Sequence, residues 1–209
     1  MPSSADIAAA LRELGSATLG ESGARAMRDR VKPVWSGARL AAPAYPVRCT
    51  TGDNLAIHVA VARAPGGSAL VVDVGTEREL GYWGEVLTTA AESRGVVGLV
   101  IDGCVRDTEA LEAHGFPVFS AGIALRGASK SLEGTVDRPA VVAEVDVNPG
   151  DWVVGDRDGV VIVPGENLEG IVAAGRARAE REARYFEQLR SGATTLELLS
   201  LDPQPVDGG

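Results

Sequence analysis

The stretch from Gly84 to Asp107, GEVLTTAAESRGVVGLVIDGCVRD, constrains the fold more than any other part of the chain. Behind Gly84 come an acidic residue and the apolar positions Val86, Leu87, Ala90 and Ala91 at helical spacing. A helix is therefore predicted to start directly after the glycine and to end near Arg94-Gly95. Val96 to Ile101 is a continuous β-rich run that stops at Asp102-Gly103, the pattern of a buried strand that turns at its carboxyl end. A second such run, Ala69 to Val74, lies between the turn formers Pro65-Gly66-Gly67 and Gly75. Strands covered on both faces need helices packed on them, which points to an α/β domain. In such sheets ligands bind outside the carboxyl ends of strands, and there the chain places Arg106 and Asp107, a cation beside an anion. The first turn of a helix presents unpaired N–H groups at the positive end of its macrodipole. The backbone of Gly84, Glu85, Val86 and Leu87 is thus a candidate cradle for a carboxylate or phosphate.

With 209 residues, 45% hydrophobic and 23% charged, the chain fits one domain with a sizeable core. No repeat or linker divides it, so residues 1–201 are expected to form a single domain and 202–209 a disordered tail. Twenty basic against twenty-nine acidic residues leave a formal charge of −9, which would repel a phosphate backbone and argues against nucleic-acid binding. An anionic substrate must then find a local positive site. Neither a basic-then-apolar leader nor a bilayer-spanning apolar run is present, so secretion and membrane insertion are not indicated and a cytoplasmic location is expected by default. Cys49 and Cys104 are too few for a disulfide framework and, with the two histidines, make no zinc-ligand spacing; they read as reduced packing residues.

Elsewhere the signals vary in strength. Ala5 to Leu14 reads as an amphipathic helix with Gly15 as its stop. Pro33, Pro43 and Pro46 are expected to break any long element before a strand at Val47 to Thr50. Asn54 to Arg63, capped by Asp53 or Thr50, has helical spacing, but the alternation of Leu55, Ile57, Val59 and Val61 also admits a strand. A brief helix is predicted at Thr108 to His114, a strand at Pro117 to Ser120 and a loop over Ala121 to Val136. Strands at Ala140 to Val147, Trp152 to Val154 and Val160 to Val163 are separated by hairpin punctuation. Glu166 to Arg190 is a long charged helix with a thin apolar stripe, suited to the surface or to a neighbouring subunit. VVDVGTERELG imitates a dinucleotide loop, but Glu77 and Leu80 stand where glycines are required, and that site is rejected.

Each candidate residue also has an ordinary explanation. Asp107 can cap the following helix. Arg106 can be a surface cation, Glu85 can be placed by the macrodipole alone, and Asp102 before Gly103 is common turn chemistry. Glu180 and Glu182 can be solvated charges, while His58 and His114 lack any partner spacing.

What tips the balance is Glu85, twenty intervening residues, then Arg106-Asp107. This resembles the acidic-X20-Arg-Asp signature of the class II, metal-dependent pyruvate aldolases. That family cleaves 4-hydroxy-4-methyl-2-oxoglutarate and 4-carboxy-4-hydroxy-2-oxoadipate and also contains the regulators of ribonuclease activity A. TGDNLAIHVAVARAPGGSALVVDVG and PGDWVVGDRDGVVIVP are similar to further recurrent segments, and the resemblance covers roughly residues 8 to 200. It implies a layered β/β/α fold similar to the phosphohistidine swivelling domain, a homotrimer or dimer of trimers, and the helical reading of Asn54 to Arg63. It also implies Mg2+ or Mn2+ held by Asp107, and Arg106 stabilising the enolate formed as a carbon–carbon bond breaks. Glu85 would hold metal-bound water, the Glu85 to Leu87 amides would orient the substrate carboxylate, Asp102 would stand behind the site, and Glu182 would be the neighbouring subunit's acid. The implied activity is retro-aldol cleavage of a 4-hydroxy-2-oxo di- or tricarboxylic acid to pyruvate, with oxaloacetate decarboxylation as a side activity. The alternative is a non-enzymatic ribonuclease regulator, but such members typically lack the acid that stands here as Asp107.

Overall fold

The computed structural model describes residues 3–207. Its elements are α1 (Ser4–Gly20), β1 (Arg25–Ala26), β2 (Lys32–Pro33), β3 (Leu40–Cys49), α2 (Leu55–Arg63), β4 (Ala69–Asp73), β5 (Gly81–Trp83) and α3 (Glu85–Ser93). There follow β6 (Gly98–Val105), α4 (Thr108–His114), β7 (Val118–Ile123), β8 (Gly134–Val136), β9 (Ala140–Val142), β10 (Val145–Val147), β11 (Trp152–Gly155) and β12 (Val160–Val163). The chain closes with α5 (Leu168–Arg190), α6 (Thr195–Leu199) and α7 (Gln204–Asp207).

One ten-stranded sheet runs β1-β12-β11-β3-β4-β6-β7-β2, with β5 added to β6 and β8 to β3. Strand β3 joins two limbs: Leu40 to Pro43 pairs antiparallel with β11, and Ala44 to Arg48 pairs parallel with β4. Alternation along the parallel strands separates the cores. Leu70, Val72, Leu99 and Ile101 meet Ile57 of α2, Leu87 and Ala91 of α3 and Leu111 of α4. Val71, Val100 and Phe119 face the other way, against Val153 and Ile162 of the antiparallel limb and Val142 and Val147 of the β9–β10 hairpin. Outside that limb, Val154, Val161 and Val163 pack on Leu11 and Leu19 of α1 and Ile171 of α5. The α/β fold with a β/β/α layering is present, and α1 with α5 covers the outer face of the antiparallel limb.

Several local expectations need correction. Strand β3 is ten residues long and contains both Pro43 and Pro46. The Pro46 carbonyl accepts from the Asp137 N–H, on the side away from β4. A strand residue's N and O face the same side, so the donor that proline lacks is missing where pairing with β8, which starts at Val47, has not begun. Strand β6 does not turn at Asp102-Gly103 but runs through them to Val105. Ala140 to Val147 is two strands, because Ala143 and Glu144 both adopt positive φ (48° and 68°) and turn the chain into a tight hairpin without the usual glycine or asparagine. Strand β7 extends three residues past Ser120, and the expected loop contains β8. In α1 Gly15 breaks the helix, but helix resumes to Gly20, its restart held by Asp156, which accepts from the Ser16 N–H (2.7 Å) and hydroxyl (2.6 Å). Within residues 202–209 the chain forms one helical turn, Gln204–Asp207, and residues 208–209 lie outside the described residues. No helix among the described residues is long and apolar enough to cross a membrane.

Candidate active site

Strand β5 pairs parallel with the end of β6, Gly81 opposite Cys104 and Trp83 opposite Val105. Helix α3 is the crossover between them, so Trp83-Gly84 and Val105-Arg106 leave the sheet side by side. That connection is why residues twenty-two positions apart in sequence meet in space. The Arg106 N–H donates to the Trp83 carbonyl at 2.9 Å and fixes the junction.

Asp107 stands at the cap position of α4 in a left-handed conformation (φ 57°, ψ 39°), yet its side chain makes no cap bond. Its carboxylate turns instead to the start of α3, where Oδ2 accepts the Glu85 N–H at 3.1 Å and lies 3.7 Å from Arg106 Nε. A left-handed backbone costs most residues roughly 1 kcal/mol, and aspartate is among the few that tolerate it. The capping explanation of Asp107 therefore fails: its carboxylate serves the neighbouring helix and leaves Oδ1 without a protein donor among the described residues.

Gly84 makes this arrangement possible. Its φ of −168° is ordinary extended backbone, so the requirement is space: a Cβ there would collide with the Asp107 carboxylate and press on the Arg106 stem. A Cβ on Gly81 would likewise meet the Arg106 stem and the Ala124 carbonyl, and one on Gly127 would sit 3.6 Å from the guanidinium.

These groups open onto a cavity of about 150 Å³ lined by Gly84, Val86, Leu87, Arg106 and Asp107. Its wall also includes Asn54, His58 and Lys130, none of which the sequence reading assigned a role. Asn54, 4% exposed, donates from Nδ2 to the Tyr82 carbonyl at 2.8 Å, while its Oδ1 is buried without a partner. His58 lies one helical turn on, and its Nε2 is also buried without a partner. Burial first, and then the positive charge of Lys130, lower the His58 pKa and keep the ring neutral. The i, i+4 spacing of Asn54 and His58 was a legible sign that they share one helix face. A larger cleft of about 600 Å³ between α1 and the start of α5, lined by Ile7, Ala10, Leu168 and Val172 among others, contains none of these groups.

The remaining candidates lie outside the cavity lining. The Glu85 side chain is 57% exposed, with Oε1 3.8 Å from His114 Nε2. His114 is not partnerless, since its Nδ1 lies 2.8 Å from Glu92. Asp102 is 2% exposed inside β6, where Arg30 donates from Nε at 2.7 Å and from its terminal nitrogen at 2.8 Å, and Arg78 approaches to 3.2 Å. Glu182 pairs along α5 with Arg178 at 2.7 Å. Cys49 and Cys104 are free and buried, and burial pushes the Cys49 thiol up to about 12, leaving it protonated and inert. Among the described residues no group of three or more His, Cys, Asp or Glu could hold a metal ion. A hydrated hard cation needs less, because it keeps several waters and takes one or two carboxylates.

A model of the family described as RraA-like, Aldolase/RraA, matches residues 5–162. A relative from Halalkalibacterium halodurans, provisionally named 4-hydroxy-4-methyl-2-oxoglutarate aldolase, is 31% identical over 159 residues, 76% of each chain. Among solved structures, an uncharacterized protein from Pseudomonas syringae pv. tomato superposes with a TM-score of 0.84 at 26% identity, covering 97% of this chain and 96% of that one. RraAS2 of Streptomyces coelicolor, described as an unusual member of the RNase ES inhibitor RraA protein family, gives a TM-score of 0.74 at 25% identity, covering 91% and 100%.

Proposed function

Because this chain belongs to the RraA-like family of aldolases and RraA proteins, we propose that its cavity is a lyase site that cleaves a 4-hydroxy-2-oxo di- or tricarboxylic acid to pyruvate. The observation that carries this reading is the Asp107 carboxylate, turned from its own helix toward the α3 amides and Arg106. A binding protein has no need of a carboxylate kept in a left-handed backbone beside a glycine that clears space for it, which favours the enzyme over the ribonuclease regulator.

The donor set fits Mg2+ or Mn2+. Asp107 has an oxygen free to bind, and a 2-oxo acid brings its own carboxylate and keto oxygens to complete the shell. A cation held there would supply Lewis acidity to the 2-oxo group. The chain's own groups supply the rest. The Val86 and Leu87 N–H groups, which have no helical partner in the first turn of α3, orient the substrate carboxylate. The Glu85 carboxylate, just outside the cavity lining, holds a water that takes the 4-hydroxyl proton; the C3–C4 bond breaks, its electron pair moves toward the keto oxygen, and return of a proton from that water to C3 releases pyruvate. The Arg106 guanidinium donates to that oxygen as negative charge collects on it. Loss of carbon dioxide from oxaloacetate develops the same charge, so oxaloacetate decarboxylation accompanies the lyase activity.

The proposal includes a homotrimer or a dimer of trimers. Helix α5 has 23 residues, about 35 Å, and is buried only at Ile171 and Gly175. Its carboxyl-terminal half, with Glu182 and the 52% exposed Phe186, is free to reach a neighbouring subunit's site. Pyruvate release from a panel of 4-hydroxy-2-oxo acids and from oxaloacetate tests the function. Release that requires added Mg2+ or Mn2+ is expected, and no release from any member with metal present contradicts it.

A further inference from the structure

The cavity has a second polar group that the steps above do not use. Asn54 Oδ1 and His58 Nε2 are buried without partners, and a buried polar atom is costly to leave unpaired unless something fills it. The Asn54 amide cannot turn its donor inward, because Nδ2 is committed to the Tyr82 carbonyl at 2.8 Å. The unpaired atom that Asn54 keeps in the cavity wall is therefore an acceptor, and the neutral His58 ring can donate or accept. Lys130 lines the same cavity on a loop that is held rigidly. Asp53, buried at the start of α2, accepts from the Ser131 N–H (2.6 Å), the Leu132 N–H (3.1 Å) and the Ser129 hydroxyl (2.7 Å), while the Asn54 N–H donates to the Ser129 carbonyl at 2.9 Å. The residues on both sides of Lys130 are thus pinned to the element that carries Asn54 and His58. In a chain of net charge −9, a cation in the wall of a cavity, its Nζ donating only a long 3.3 Å bond to the Ala128 carbonyl, is suited to an anionic ligand.

We propose that Lys130, with Asn54 and His58, is the specificity-determining group of this site: the ammonium binds the distal carboxylate of a 2-oxo dicarboxylic acid, and the amide oxygen and imidazole engage the hydroxyl beside it. The inference rests on the lyase reading for the position of the reacting end. It explains why a cavity whose reacting groups need only a 2-oxo acid carries three further polar groups.

Binding and cleavage separate the two readings. The probes are 2-oxoglutarate and 2-oxopentanoate, which have equal chain length, differ by the second carboxylate, and lack the 4-hydroxyl needed for cleavage. Titration calorimetry of the intact protein in saturating Mg2+ should show 2-oxoglutarate binding about 10–100-fold tighter, as a charge-assisted hydrogen bond allows. Lys130→Met should reduce the ratio to within about threefold and Lys130→Glu should reverse it. Lys130 is exposed, so neither change threatens the fold. Equal binding by the parent, or a preference that survives both variants, overturns the assignment of Lys130. In His58→Leu, cleavage of 4-hydroxy-2-oxoglutarate should fall about tenfold more than oxaloacetate decarboxylation, and an equal fall in both removes His58 from hydroxyl recognition. If the parent keeps the binding preference but releases no pyruvate, the lyase reading fails and the dicarboxylate subsite stands. If it releases pyruvate without the preference, the lyase reading stands and the dicarboxylate subsite fails.

Discussion

Asp102 and Asp107 lie five residues apart at the end of one strand and are placed in opposite ways. Asp102 is 2% exposed, and its carboxylate is occupied by Arg30 and Arg78. Asp107 is 41% exposed, accepts one backbone N–H, and has an arginine no nearer than 3.7 Å. The first is a charge fully compensated by its own fold, with nothing left for a ligand. The second is a charge the fold positions but does not satisfy. Proximity in sequence and identical chemistry therefore do not assign function; the number of unfilled acceptor positions does.

The comparison can be broken at four points. The largest effect is expected at Arg106, where Arg106→Lys keeps a charge but loses the planar fork, and turnover should fall by a factor on the order of 10² with a smaller change in KM. If KM moves and kcat does not, Arg106 binds substrate without acting on the developing charge. Next, Asp102→Asn should lower stability by about 2 kcal/mol, because two arginines lose their shared partner; the cost stays below the roughly 3–5 kcal/mol of a fully buried pair since both arginines reach solvent. Turnover per folded molecule should change little. A loss of turnover without a loss of stability would return Asp102 to the site.

Gly84→Ala should follow, with turnover down about tenfold and little loss of melting temperature. The added methyl meets the movable end of Asp107, so the displacement harms the site more than the fold. Normal turnover would show that the position of Asp107 is not critical. The smallest effect is expected at Asp53. Burial opposes its ionisation, but hydrogen bonds from Ser131, Ser129, Leu55 and Leu132 outweigh it and hold the carboxyl at about 2, below its ordinary 3.8. A depressed folded pKa contributes stability that is complete above pH 4 or so and is lost as pH falls toward 2. Asp53→Asn should therefore cost about 1 kcal/mol at neutral pH and flatten the decline in stability over that acid window. An unchanged acid profile would mean that Asp53 does not hold the Lys130 loop.

The parts of this site legible in the sequence were those set by local pattern. The α3–β6 unit follows from helical spacing behind Gly84 and a continuous apolar run, and the resemblance tied Glu85 to Arg106-Asp107. The reason for Gly84 was not legible, because its role is space for a side chain twenty-three positions later. Asp102 reads as a turn only because the Asp-Gly pair is turn-like; arginines at positions 30 and 78 carry it through a buried strand instead. Pro43 and Pro46 misled for a similar reason, since a proline interrupts a strand only where its missing donor faces a partner. Lys130 had no signal at all: its loop lacks periodicity, and its position depends on Asp53, far away in sequence.

The most direct test of the central claim is the dependence of pyruvate release on metal concentration, measured side by side for exhaustively demetallated parent protein and Asp107→Asn. Asparagine tolerates the left-handed backbone and can still accept the Glu85 N–H, so the fold is retained while the charge is removed. The account predicts no release without metal, full recovery of the parent on adding Mg2+ or Mn2+, and an Asp107→Asn protein of nearly unchanged melting temperature that recovers little even at high metal concentration. Full activity in demetallated parent protein, or an Asp107→Asn variant whose metal titration overlays that of the parent, would contradict it.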